Sequence, residues 1–261
     1  MLISHPSNHK RRDVVRSTWG KTRFNHVNDN FRVFFVVGKV KNKQVTSNLV
    51  SESEKYKDIV FGDFYESFYN NSWKLEMMFE YGFKHCTFDY LLKVDDDNFV
   101  NMPNIFKLIA KLGTGKKIYM GRIRYNSEAM RFSKYRFTYE EYHTPKLPPL
   151  IAGGAVLMSY DLVRNVIPYF FLGVSRPPMK LEDVYTGFLV LKASAKATHS
   201  SLFRHSNGEE CAFDDEAMSL HFWQSKTKDE IECMKSNYKT LLDKKPTDPF
   251  VRTHYLASTK L

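Results

Sequence analysis

The run Tyr90-Leu91-Leu92-Lys93-Val94 stops at three consecutive carboxylates, Asp95-Asp96-Asp97. An apolar run this short, bounded by polar residues, reads as a strand whose sides are both covered, which places it inside a sheet. Three carboxylates at its exposed end repel one another unless a cation neutralises them, and hard divalent cations take oxygen ligands. An acidic turn that merely caps a following helix needs one carboxylate, not three. The segment therefore reads as the exit of a buried strand onto a metal site.

The surrounding pattern supports that placement. Phe31 to Val37, closed by Gly38, and Asp58 to Phe61 read as strands, with a solvated helix at Leu49 to Tyr56 between them. Asn70 to Lys84 spaces Trp73, Leu75, Met77, Met78, Phe79, Tyr81 and Phe83 as the broad core face of a helix. After the carboxylates come a helix at Asn104 to Leu112 and a strand near Ile118 to Gly121. Arg122 to Pro149 is polar and aromatic, too long for an ordinary connection, and punctuated by Pro145, Pro148 and Pro149, so it reads as a functional loop or hairpin. Gly153 and Gly154 then precede a strand at Ala155 to Met158, and Ser159 and Asp161 can cap a helix running toward Pro168. Alternating strands and helices predict an α/β fold with a mostly parallel central sheet flanked by helices, and ligands at the carboxyl ends of its strands.

Composition narrows the function. A chain of 261 residues with 43% hydrophobic content can bury a sizeable core, and a net charge of +10 favours anionic partners without naming one. Its Lys and Arg residues are spread without a nucleic-acid-binding motif, so no nucleic-acid partner is expected. No apolar stretch approaches the roughly 18 residues that span a bilayer. Cys86, Cys211 and Cys233 are too few for a disulfide framework; Cys211 and Cys233 could pair, and a spare buried thiol is the blander alternative. Gly113-Thr114-Gly115-Lys116-Lys117 is not a P-loop, because Ala110 stands where its first glycine would be and Lys117 where its Ser or Thr would be. A cation at Asp95 to Asp97 suits a diphosphate leaving group, so nucleotide-sugar chemistry fits better than nucleotide hydrolysis. Glu182 and Asp183 open another amphipathic segment, either as first-turn acids favoured by the helix dipole or as a general base held near Gly153-Gly154, where backbone can approach a ligand.

Several blocks carry a resemblance. They are Arg11 with Arg16-Ser17-Thr18-Trp19-Gly20, Phe35-Val36-Val37-Gly38, Glu52 through Asp58-Ile59-Val60 to Asp63-Phe64, and Asn70-Asn71-Ser72-Trp73-Lys74. Cys86 and Lys93 to Asn101, Gly153 to Ser159, and Glu182 to Gly187 follow in order. Collinear over residues 1 to 190, the chain resembles the inverting beta-1,3-glycosyltransferases of glycosyltransferase family 31, the galactosyltransferase and N-acetylglucosaminyltransferase group related to Fringe.

The resemblance implies a GT-A-like nucleotide-sugar fold, a UDP-sugar donor, Mn2+ or Mg2+, and a glycan acceptor on a glycoprotein or glycolipid. It makes Asp97 a metal ligand, with Asp95 and Asp96 against nucleotide and sugar and Lys93 beside them. His221 resembles the family's later metal histidine, and His205 is the weaker candidate. Arg16 and Lys74 match donor-pocket positions, Asp183 matches the catalytic base, and Gly153, Gly154 and Glu182 lie on the acceptor side. One catalytic domain is expected over 1–240, with a donor-binding half to about 121 and an acceptor-side half from 122, followed by a charged tail at 241–261. Thr144-Pro145-Lys146-Leu147 and Ala155 stand where relatives carry tyrosines. That departure keeps a second expectation open, a catalytically inactive, metal-dependent glycan or nucleotide-sugar binding protein. The resemblance also implies a Golgi lumenal setting, with membrane attachment only through an anchor that this sequence does not contain; Asn70, in Asn70-Asn71-Ser72, is the candidate N-glycosylation site.

Overall fold

β4 (Tyr90–Asp95) lies between two strands and has both faces covered, Leu91 in the core on one face and Val94 in the core on the other, which is why its apolar run does not alternate. The computed structural model describes residues 1–21, 31–171, 179–205, 211, 214–222 and 227–243. Before β4 come β1 (Leu2–Ile3), α1 (His9–Ser17), β2 (Phe35–Lys39), α2 (Lys43–Tyr56), β3 (Ile59–Tyr65) and α3 (Asn71–His85). After it come β5 (Asn98–Val100), α4 (Met102–Leu112), β6 (Tyr119–Arg124), β7 (Leu150–Ser159), α5 (Tyr160–Val166) and α6 (Pro168–Phe171). α7 (Glu182–Lys192), β8 (Thr198–His199), β9 (Phe203–His205), β10 (Ser219–His221) and α8 (Thr227–Asp243) complete the described chain.

Seven strands form the main sheet in the order β3-β2-β1-β4-β7-β6-β8. All run parallel to their neighbours except β7, which is antiparallel to β4 and β6. The fold is thus α/β with a mostly parallel sheet and flanking helices, as the sequence pattern predicts. Successive β7 residues face opposite sides. Val156 and Met158 join Leu75, Met78, Phe79, Leu162 and Leu189 on the side of α3, α5 and α7. Ala155 and Leu157 join Val14, Val15, Ile105 and Met234 on the side of α1, α4 and α8. A small sheet, β5-β10-β9, sits at the carboxyl end of β4.

Several details depart from expectation. β7 begins at Leu150, so Gly153 and Gly154 lie inside the strand and not before it. β6 continues through Arg124, so the long connection starts at Tyr125; it closes as a hairpin-like loop on the Glu128–Lys146 bridge, with Arg131 donating to the carbonyls of Phe137, Thr138, Tyr142 and Thr144. Ser159 does not cap α5 with its side chain; its hydroxyl accepts from the Ile118 amide and donates to Asp161. α8 extends to Asp243 with Asn237 buried, while 244–261, most of the expected tail, lie outside the described residues. Cys211 and Cys233 form a disulfide, which sets aside the spare-thiol alternative for that pair, and Cys86 is free. Among the described residues no helix is long and apolar enough to cross a membrane.

Candidate active site

Lys93 is the hub of the site. Its stem is buried within β4 and its ammonium, 1% exposed, donates to Asp95 Oδ1 at 2.8 Å, to Glu182 Oε1 at 2.9 Å and to the Gly153 carbonyl. Burial works against that charge, but Asp95 and Glu182 outweigh it and hold the Lys93 pKa above its ordinary value. Glu182 opens α7 and is lifted to about 7 by burial, with Lys93 pulling it down and Asp95 and Asp183 pushing it up. Asp183 is half-buried beside it and accepts the Val184 amide at 2.9 Å; burial raises its pKa, against the charge of Arg124. Gly153 is small for a reason: a Cβ there would sit 3.2 Å from Glu182 Oε2 and 3.5 Å from Lys93 Nζ.

Past Asp95 the chain turns through Asp96 and Asp97 into β5. β10 pairs with β5 so that His221 lies opposite Asn98, and this register sets His221 Nε2 3.2 Å from Asp97 Oδ1. The Trp19 indole donates to the Asn98 carbonyl at 3.0 Å and pins the same turn. A Cβ on Gly154 would lie 2.6 Å from His221 Nδ1, so the imidazole occupies space that only glycine leaves free. Burial lowers the His221 pKa, but the hydrogen bond and charge of Asp97 outweigh it and raise it; Asp97 is lowered correspondingly, against its own burial. Among the described residues, one donor atom each from Asp95, Asp97 and His221 lie within 4.8 Å of one another. Two carboxylates at the end of β4 and an imidazole on β10 form a donor set that fits a divalent cation. His205 lies behind this group with its Nδ1 3.4 Å from His221 Nδ1; burial and the charges of His221, Arg122 and Arg124 hold it down to about 4.

Other expected site residues are not brought to this group. Asp96, 4% exposed, turns inward and accepts from Ser4 Oγ at 2.6 Å, Asn8 Nδ2 at 3.0 Å and Arg11 Nη1 at 3.1 Å. Lys74 is buried against the Ser4 carbonyl at 2.8 Å and Glu66 at 2.7 Å, and burial lowers its pKa. Arg16 pairs with Asp58 and Glu52, each at 2.7 Å, and its guanidinium lies 4.0 Å from the Tyr56 ring centroid. These residues therefore brace the first strands and α1. Asn70 donates its side-chain amide to the Tyr65 carbonyl at 2.7 Å, and Ser72 is buried with its hydroxyl on the Met179 carbonyl.

Two further residues belong to the arrangement. Arg11 bridges Asp96 and Glu230, the latter at 2.5 Å and 219 positions away in the chain. Arg124, on the outward side of β6, supplies the positive charge felt by Asp183. Arg11 carries a sequence signal, the spaced arginines before Trp19; Arg124 carries none.

The galactosyltransferase family pattern matches residues 10–201, a span that includes α1, β4, the acidic turn and α7. The lactosylceramide 1,3-N-acetyl-beta-D-glucosaminyltransferase of Homo sapiens is 30% identical over 197 residues, 72% of this chain and 52% of that protein. The UDP-GalNAc:beta-1,3-N-acetylgalactosaminyltransferase 1 of Rattus norvegicus is 32% identical over 195 residues, 72% of this chain and 57% of that protein. Beta-1,3-galactosyltransferase 5 of Pan paniscus is 27% identical over 244 residues, 86% of this chain and 80% of that protein. The chain thus spans about half the length of the first two relatives. With the family pattern running from the arginine helix past the Glu182-Asp183 turn, the chain belongs to the galactosyltransferase family.

Proposed function

We propose that the protein is an inverting, metal-dependent hexosyltransferase of GT-A type. It moves galactose or an N-acetylhexosamine from a UDP-sugar to a hydroxyl of a glycoprotein or glycolipid glycan, forming a beta-1,3 linkage. The supporting observation is that Lys93 holds Asp95 and Glu182 together, 2.8 and 2.9 Å from its ammonium, so the acidic turn and the start of α7 meet at one place. Asp95, Asp97 and His221 would hold a divalent cation, which when bound would supply positive charge against the departing diphosphate. Asp183 takes the proton from the acceptor hydroxyl as that oxygen bonds the anomeric carbon and the bond from carbon to UDP breaks. Burial supports this role by raising the Asp183 pKa toward that of a useful base. The Cys211–Cys233 disulfide supports an oxidising setting such as the Golgi lumen.

The test is Asp183→Asn. Transfer, followed as UDP release dependent on acceptor, is expected to fall by about a thousandfold or more while UDP affinity stays unchanged. Strong residual transfer would remove Asp183 from the role.

A further inference from the structure

We infer that His205 is a positioning residue for the cation site: it accepts the Nδ1 proton of His221 and so leaves the bare Nε2 of His221 facing the cation beside Asp95 and Asp97. This rests on the metal-dependent reading above. β9 and β10 pair in parallel with His205 and His221 as direct partners, which sets their side chains next to each other. The rings meet at 68° with centroids 5.1 Å apart, and their Nδ1 atoms face each other at 3.4 Å. Two facing ring nitrogens form a favourable contact only when one carries the hydrogen and the other accepts it.

The other ring nitrogen decides which. His221 Nε2 is directed at Asp97 Oδ1, 3.2 Å away. A metal bound at Nε2 takes its lone pair, so a neutral His221 ring carries its proton on Nδ1. His205 Nδ1 is the acceptor set against that proton, and Gly154, where a Cβ would stand 2.6 Å from the same nitrogen, leaves the ring room to face it. His205 thus does for His221 what carboxylates and carbonyls do for metal-bound histidines in general, fixing the tautomer and the ring orientation. A direct ligand role does not suit it, because its Nδ1 meets the His221 ring and the converging donor atoms belong to Asp95, Asp97 and His221.

The experiment measures Mn2+ affinity on the nucleotide-free protein, by electron paramagnetic resonance of free Mn2+, for the parent, His205→Phe, His205→Asn and His221→Ala. His205→Phe keeps a ring but no acceptor and is expected to bind Mn2+ about 10- to 100-fold more weakly. His205→Asn can place an amide oxygen where Nδ1 stood and is expected to recover most of that loss. Unchanged affinity in His205→Phe, or equal weakening in both variants, overturns the inference while leaving the metal site standing. Unchanged affinity in His221→Ala overturns the metal site itself. Should the Phe variant fail to fold, ring-nitrogen NMR of the parent with Mg2+ decides the matter: a proton on His221 Nδ1 supports the inference, and a proton on Nε2 overturns it.

Discussion

Gly154 shows how much of the site depends on a missing side chain. A Cβ there would approach the Nδ1 and Cγ of His221 to 2.6 and 2.8 Å, against a ring held between strands and not the free end of a flexible chain. Gly154→Ala is therefore expected to displace His221, costing about 1–3 kcal/mol in stability and weakening Mn2+ binding. Gly153→Ala should be milder, because its nearest contact, at 3.2 Å, is the tip of Glu182. Thermal unfolding and a Mn2+ titration of both variants check the order, and equal effects would count against this account. Glu182 gives a pH prediction. Its folded pKa is raised from 4.5 to about 7, so within that window the folded chain retains a proton that the unfolded chain has released. This group's contribution to stability is present below pH 4.5 and is lost as pH rises toward about 7. Replacing Glu182 by Gln should flatten the fall in unfolding free energy across that range. Urea unfolding of the parent and the Gln variant between pH 4.5 and 7 checks this, and equal slopes would count against the Glu182 assignment.

At the scale of elements, β4, α3 and α4 are legible from local sequence, β4 from its short apolar run and the two helices from their periodic patterns, with no distant partner needed. β7 is only half legible: Leu150 to Ala152 follow Pro148 and Pro149 and precede two glycines, so local turn chemistry hides strand residues that pairing with β6 and β4 makes regular. The three-residue strands β5, β9 and β10 are too short to show a period, yet they set His221 beside Asp97. The acidic turn, Glu182-Asp183 and His221 are legible as candidates through motif order, and the fold brings Asp95, Asp97 and His221 together. The inward turn of Asp96 is not, because its partners Ser4, Asn8 and Arg11 arrive from another part of the chain. The Cys211–Cys233 bond is half legible, offered by the sequence beside a spare thiol, and it fastens Cys211 to α8 across 22 residues. Closing a loop of that length removes about 3 kcal/mol of unfolded-chain freedom, so Cys233→Ala should lower the thermal midpoint by roughly 6 °C. The same fall is expected on reduction of the parent protein. A midpoint indifferent to reductant would mean that the bond does not hold α8.

Over the whole molecule, the acids divide by whether the fold answers their charge. Glu52 and Asp58 are met by Arg16, and Asp96 and Glu230 by Arg11, so these pairs hold α1 to α2, to the start of β3 and to α8. At the carboxyl end of β4 the balance differs: Asp95, Glu182 and Asp183 gather around one buried ammonium, and Asp97 has His221. A protein with net charge +10 thus keeps a site where four acids, Asp95, Asp97, Glu182 and Asp183, face one buried ammonium and one imidazole. A divalent cation there would join the main sheet, through Asp95 at the end of β4, to the small sheet, through His221 on β10. Unfolding would then have to release the ion. A ligand that binds only the folded state at about a hundred times its Kd adds about 2.7 kcal/mol, or roughly 5 °C in midpoint for a chain of this size. Millimolar Mn2+ is expected to produce a shift of that order, EDTA to reverse it, and Asp97→Ala to abolish it. An unshifted parent would show that the repulsion among these carboxylates is relieved by protons and by Lys93 alone, and that no cation ties the two sheets together.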